Sequence, residues 1–282
     1  MTSRYADLDR PPLDAEALRR AVTGSTRWRE VVVRDEVVST NAEVAELARA
    51  GAAEGVVVVA EHQSGGRGRL GRSWQAPPRS GLTVSVLLRP EAVPTSRWPW
   101  LGLLAGVAVA EAVRRCADVD AVLKWPNDVL VGEEKLAGIL LERVEHDRRA
   151  AAVVGVGLNV TLRPQEVPAG VAATSLARAG GSTTDRAVVL REVLRVLDQL
   201  YGAWVFERGR ADTGLAESYR RRCSTLGRRV RVQLAAGAAI TGVARRVDED
   251  GRLVLAAPSG EDLLDAEEMV VGAGDVVHLR DA

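Results

Sequence analysis

Valine and leucine runs mark this chain at two different periods, and the change of period outlines its elements. Val31-Val32-Val33 and the unbroken run Val56-Val57-Val58-Val59-Ala60 predict short strands buried on both faces, and Gly81-Leu82-Thr83-Val84-Ser85-Val86-Leu87-Leu88 predicts another. Residues 14–22 carry a short helical pattern. Ser39-Thr40-Asn41-Ala42-Glu43 then leads into a second helix, opened by a capping box of Thr40 and Glu43 and closed by Gly51. Residues 96–115 predict a long apolar helix in which Gly102 and Gly106 permit close packing on a sheet. Strands over 121–124, 128–131, 135–145 and 151–160 follow in quick succession with tight turns between them. From 184 to about 221 the period is helical again, with Val188, Val189, Leu190, Val193, Leu194, Val196, Leu197 and Leu200 on an apolar face.

After Cys223 the texture returns to short strands, at 229–234, 240–247, 252–256, 270–271 and 276–279, with Asp250-Gly251 as a hairpin turn. So many short strands in so little chain suit a small β-barrel. The expected class is α+β, a mixed or antiparallel sheet flanked by helices with a small barrel behind it. The expected divisions are an N-terminal extension over 1–25, with no room for a separate domain, a main unit over 26–222 and the barrel over 223–282.

Composition removes several function classes. With 38 basic and 38 acidic side chains the net charge is zero, so the basic excess or stripe of a nucleic-acid-binding protein is missing. The first twenty residues hold charges and no apolar segment of signal-peptide type, and the apolar run 99–110, bounded by Arg97 and Glu111, is too short to span a bilayer. A cytoplasmic location is expected. Cys116 and Cys223 have no Cys or His neighbours at ligand spacing and read as buried structural thiols.

Charge is uneven locally. Residues 61–89 hold five arginines (Arg67, Arg69, Arg72, Arg79 and Arg89) against one acid, Glu61. Within them Gly65-Gly66-Arg67-Gly68-Arg69-Leu70-Gly71-Arg72-Ser73-Trp74 alternates glycines with arginines, a composition suited to wrapping an anion. Gly66 to Gly71 even matches the G-x-G-x-x-G spacing of dinucleotide sites. That fingerprint must open a helix, however, and here Pro77-Pro78 deny one and a strand follows. The loop therefore joins strand to strand.

Three further segments carry chemistry. Lys124-Trp125-Pro126-Asn127-Asp128 is a charged and aromatic knot between strands. Lys135-Leu136-Ala137-Gly138-Ile139-Leu140 brings a lysine into an apolar strand, which is costly unless it meets an anion. Gly155-Val156-Gly157-Leu158-Asn159-Val160 thins a strand, as expected where a ligand lies against backbone. No nucleophile elbow, Walker-type phosphate loop or histidine cluster is present in the sequence.

Together the segments GRGRLGRSW, KWPNDVL, KLAGILLE and GVGLNV resemble those of biotin protein ligases, over nearly all of the chain from Trp28 to Leu279. The form resembled is the short one without an N-terminal DNA-binding domain. The resemblance implies a biotin/lipoate ligase-like catalytic fold with an SH3-like C-terminal barrel. It also implies ATP-dependent formation of biotinyl-AMP, followed by transfer of biotin to a lysine of a biotin carboxyl carrier domain of an acyl-CoA carboxylase, with Mg²⁺ on the phosphates.

By the same resemblance Lys135, Arg67, Arg69 and Asp128 would be catalytic. Ser39, Thr40, Asn41, Gln63, Gly66 and Gly138, with Arg67 and Lys135, would meet biotin. Arg69, Arg72, Trp74, Lys124, Asn127 and Asn159 would meet the nucleotide, with Trp74 closing over it, and Asp128 would orient the metal or the incoming lysine. No DNA or membrane partner is implied, and a monomer or weak homodimer is expected. A lipoate ligase and a biotin-responsive repressor are the nearest rivals; the neutral charge argues against the second. The glycine loop, rich in like charges, is expected to order only on its ligand.

Overall fold

The structure, a computed structural model, describes residues 10–24, 26–146, 149–212, 214–234, 237–257 and 268–279. Its main sheet has seven strands: β1 (Glu30–Arg34), β2 (Val56–Ala60), β3 (Gly81–Leu88), β4 (Val122–Lys124), β5 (Asp128–Val131), β6 (Glu134–His146) and β7 (Arg149–Asn159). They lie in the order β1-β2-β3-β7-β6-β5-β4, with β1 and β2 parallel and every other pair antiparallel. The sheet is mixed, as the strand spacing predicts.

Helices α1 (Ala15–Val22), α2 (Thr40–Arg49), α3 (Pro99–Ala117), α4 (Arg186–Phe206) and α5 (Leu215–Arg222) cover it. The valine run of β2 shows why both faces are needed. Val57 and Val59 enter a core shared with α3 and α4, whereas Val56 and Val58 pack under Val44, Ala45 and Ala48 of α2. Period-2 alternation thus sends one unbroken apolar run into two separate cores.

Three expectations change. Ser39, not Thr40, caps α2, its Oγ accepting from the Ala42 amide at 3.4 Å, and Glu43 pairs with Arg34 at 2.8 Å. Thr40 is the first residue inside the helix, and its amide donates to Gln63, so that amide is not free to meet a Glu43 carboxylate as a capping box requires. The helix expected over 184–221 breaks in two because Arg208 (φ 50°) and Gly209 (φ 79°) take left-handed backbone after α4. A Cβ at Gly209 would stand 2.4 Å from Val93 Cγ1, so the turn is pressed against its neighbour. Cys223 is buried but Cys116 is only half-buried, its thiol pushed up by burial and by Glu192.

The C-terminal sheet contains β8 (Arg229–Gln233), β9 (Ala239–Val247), β10 (Leu253–Ala256), β11 (Glu268–Val271) and β12 (Asp275–His278), in the order β11-β10-β9-β8-β12. All its pairs are antiparallel. The two edge strands, β11 and β12, are joined by only residues 272–274, so the sheet must curl towards closure. Two tryptophans fasten it to the main sheet. Trp100 Nε1 donates to the carbonyls of Asp248 and Glu249 at 3.2 and 3.0 Å, and Trp125 Nε1 donates to Gly251 O at 3.2 Å. Gly251 is the hairpin glycine, at φ 79°, and a Cβ there would press on Pro99 and Trp100 at 3.2 Å.

One buried ion pair ties the N-terminal segment to the sheet. Arg186 Nη1 and Glu61 Oε2 are 2.5 Å apart with each side chain 4% exposed, while Leu13 N donates to Glu61 and Arg186 donates to Pro11 O. Arg186→Ala strands the Glu61 carboxylate in a dry site and is expected to cost about 3–5 kcal/mol, read as a lowered urea midpoint. Helix α3 predicts the opposite sign. Gly102 faces Leu141 of β6, but a Cβ there would sit 4.0 Å from Leu141 Cβ, so the glycine is not required for packing. Gly102→Ala is therefore expected to stabilise by about 0.5–1 kcal/mol and to raise Tm in a thermal melt.

Candidate functional site

The arginine-glycine loop connects β2 to β3, its antiparallel partner, and opens no α-helix, which disposes of the dinucleotide reading. The loop folds back on itself as a small hairpin. Trp74 N donates to Gly66 O at 2.9 Å, Gly68 N donates to Arg72 O at 2.7 Å, and Arg67 bridges Ser73. Arg69–Gly71 makes a 3-10 turn at the tip, with Leu70 at φ 54° and Gly71 at φ 75°. Gly66 is required by close approach, since a Cβ would fall 2.3 Å from Trp74 O and 2.8 Å from Gln63 Nε2. In this arrangement a backbone ladder and pairs between its arginines and carboxylates hold the segment.

Beneath the loop lies a half-open cleft of about 110 Å³. Of the residues singled out from sequence, Ser39, Thr40, Asn41, Gln63, Arg67, Arg69, Arg72, Trp74, Asn127, Asp128, Lys135 and Gly138 line it. Three do not. Gly66 holds the hairpin, Lys124 pairs with Asp128 across β4 and β5, and Asn159 borders a smaller adjoining recess. The buried Asn159 amide donates to Lys135 O at 3.4 Å, which fixes the backbone under Lys135.

One end of the cleft is neutral and polar. Thr40 N and Oγ1 donate to Gln63 Oε1 at 2.8 and 3.0 Å. Ser85 Oγ lies 2.7 Å from Thr40 Oγ1 and donates to Asn41 Oδ1 at 2.6 Å, and Asn41 Nδ2 donates to Glu142 Oε2 at 2.6 Å. Gly155 makes this possible, because a Cβ there would collide with Asn41 Oδ1 at 2.1 Å.

The other end is cationic, and its charges are paired. Lys135 Nζ is 2.5 Å from Asp128 Oδ1, Arg67 is 3.5 Å from Glu142, and Arg72 pairs with Asp275. Burial pushes the Arg69 guanidinium below its ordinary value, while Asp275 and Asp128 push it back up, and its Nε is buried without a hydrogen-bond partner. An arginine so placed stays charged. Asn127 donates to Ile139 O at 2.9 Å and so holds the KWPND turn onto β6.

Trp74 occupies the space between the two ends. Its indole lies on the backbone of β7, where a Cβ at Gly157 would meet it at 2.4 Å, and Lys135 Nζ stands 5.7 Å from its ring centroid. Its Nε1 is buried without a hydrogen-bond partner. The thin strand anticipated for a ligand thus carries an indole and an amide side chain.

Sequence reasoning missed Ser85, Glu142 and Asp275. A serine interrupting the buried run of β3 was a usable signal for the first. Asp275 carried none, since it reaches the pocket from the C-terminal sheet. Among the described residues no group of three or more His, Cys, Asp or Glu side chains converges to hold a metal. Asp128 is a single carboxylate and is engaged by Lys135, so this donor set suits a magnesium carried mainly by substrate phosphates.

Comparison with known proteins gives the chain a family. Residues 36–159 match the Biotin/lipoate A/B protein ligase family and residues 225–279 match the Biotin protein ligase C terminal domain. The chain is 43% identical to the biotin--[acetyl-CoA-carboxylase] ligase of Mycobacterium tuberculosis, over 99% of this chain and 100% of that one. It is 33% identical to the bifunctional ligase/repressor BirA of Bacillus subtilis, over 88% of this chain and 76% of that one. The biotin protein ligase of Aquifex aeolicus, solved in complex with biotin and ATP, superposes with a TM-score of 0.73 at 27% identity, covering 89% of this chain and all of that one. With a relative this similar along its whole length and both family regions matched in order, the chain belongs to the biotin protein ligase family.

Proposed function

We propose that this protein activates biotin with ATP and transfers it to a lysine of a biotin carboxyl carrier domain. The observation that carries the reading is the cleft's polarity: a neutral hydrogen-bonding end beside a cluster of four cations, Arg67, Arg69, Arg72 and Lys135. A ureido ring offers both N–H donors and a carbonyl acceptor, which the Thr40, Asn41, Gln63 and Ser85 network complements. A carboxylate and a polyphosphate are both anions, and they approach one another only where fixed positive charge offsets their repulsion.

In the first step a biotin carboxylate oxygen attacks the α-phosphorus of ATP. The bond from that phosphorus to the β-phosphate bridge breaks, and pyrophosphate leaves with the electron pair. Lys135, held over the cleft by Asp128 and by the Asn159 bond to its carbonyl, bridges the carboxylate and the α-phosphate. Arg67 and Arg69 add charge from the loop, and Arg72 serves the outer phosphates. Asp128 would be the carboxylate to help hold a magnesium ion carried by the phosphates, whose charge that ion would neutralise. In the second step a neutral carrier lysine attacks the acyl carbon, the bond from that carbon to the phosphate oxygen breaks, AMP leaves with the electron pair, and the proton shed by the new amide nitrogen passes to water. Asn127 holds the KWPND turn, and with it Asp128, for the incoming amine. Consumption of ATP supports a location inside the cell, and we assign the reaction to the cytoplasm.

Trp74 must move for this chemistry, because small-molecule sites run to about 300–1,000 Å³ and the cleft measures about 110 Å³ with the indole inside. We assign its moved position to packing over the nucleotide.

Incubation with biotin, ATP, Mg²⁺ and a carrier domain is expected to add one biotinyl group to the carrier by intact mass. Lipoate in place of biotin is expected to add nothing, and modification by lipoate alone would reverse the substrate assignment. Lys135→Ala is expected to slow biotin-dependent pyrophosphate release about a hundred- to a thousand-fold while its circular dichroism is unchanged. The change in tryptophan fluorescence on adding biotin and ATP is expected to vanish in Trp74→Phe; its undiminished survival would assign the change to another of the six tryptophans and overturn the proposed Trp74 movement as its source.

A further inference from the structure

Among the described residues, Asp275 is the member of the cleft lining that comes from the C-terminal sheet. Its place is fixed from behind. Asp275 opens β12 in register with Gln233 of β8, and a Cβ at the preceding Gly274 would meet Val232 Cγ1 at 2.5 Å and Gln233 O at 3.0 Å. The sheet itself is clasped through Trp100 and Trp125. Its carboxylate pairs with Arg72 and adds to the field at Arg69. An acid so presented is out of place in a pocket that gathers cations for a polyphosphate, because it repels the ligand that the arginines attract.

We propose that Asp275 is a built-in competitor for Arg72: it occupies this arginine between turnovers, weakens the hold on the polyphosphate and so lets pyrophosphate leave. The inference rests on the adenylate-forming reading above. Two physical effects of Asp275 oppose one another, and their relative size decides the sign. Holding the loop through Arg72 contributes little, because the Arg72 side chain is 69% exposed and an exposed ion pair is worn down by solvent and entropy. Like-charge repulsion is the larger effect, since a phosphate on Arg72 shares that guanidinium with Asp275 well inside one Debye length. Asp275, only 18% exposed, is the less screened partner of the pair.

The sign separates a competitor from a structural anchor. An anchor, when lost, loosens binding; a competitor, when lost, tightens it, and a damaged fold does not produce a gain in affinity. Titration calorimetry with inorganic pyrophosphate, and separately with ATP, on the full chain of wild type, Asp275→Asn and Asp275→Glu supplies the test. Asp275→Asn is expected to bind pyrophosphate about tenfold more tightly, with a matching rise in product inhibition, and to lose that gain in about 1 M salt. Asp275→Glu, which keeps the charge, is expected to track wild type. Unchanged or weaker pyrophosphate binding by Asp275→Asn, in a wild-type background that binds ATP, overturns the proposal alone. A wild type that binds neither ATP nor pyrophosphate overturns the adenylation reading on which it stands.

Discussion

A site for a polyanion must hold several like charges together before the anion arrives, and the rest of this structure is arranged around that constraint. Lys135, Arg67 and Arg72 each lie against a carboxylate, Asp128, Glu142 and Asp275 respectively, and Arg69 sits in the field of two of them. Without those acids the cations would repel one another in a half-enclosed cleft. Asp128 and Glu142 thereby place Lys135 and Arg67 in advance, and charge that is already positioned needs little rearrangement when a reaction develops charge of its own, whereas the exposed Arg72 is only loosely held by Asp275. The carboxylates come from β5, β6 and β12, so assembling the site draws on both sheets.

The backbone answers a second demand, that of room. Each glycine in the strands below the cleft makes space for a named group: Gly155 for the Asn41 amide, Gly157 for the Trp74 indole, and Gly138 for the Lys135 side chain. The same indole leaves a cleft smaller than an adenylate needs. The glycines keep the floor of the cleft flat beneath the indole.

Anchoring the second sheet is the third element. Trp100 begins α3 and Trp125 begins the KWPND turn, and both give their indole N–H to the hairpin over 248–251. Those bonds connect the turn that presents Asp128 with the sheet that presents Asp275. A large side chain with one polar atom suits this work, since it fills the joint and satisfies a hairpin carbonyl that packing would otherwise leave dry.

Local pattern alone determined the strands of the main sheet, the α2 and α3 helices, the strand-to-strand nature of the arginine loop and the separate texture beyond Cys223, because period and turn chemistry act over a few residues. The four motifs likewise pointed to one place, since Arg67, Asp128, Lys135 and Gly138 line the same cleft. What the tertiary structure decided were the partners. Ser39 caps the helix while the Thr40 amide turns to Gln63, the helix expected over 184–221 breaks where Gly209 meets Val93, and Asn159 supports Lys135 from a neighbouring recess. Ser85, Glu142 and Asp275 enter the site only when strands far apart in sequence are laid side by side. A carboxylate's effect falls with distance in space, and the sequence holds no measure of that distance until the chain is folded.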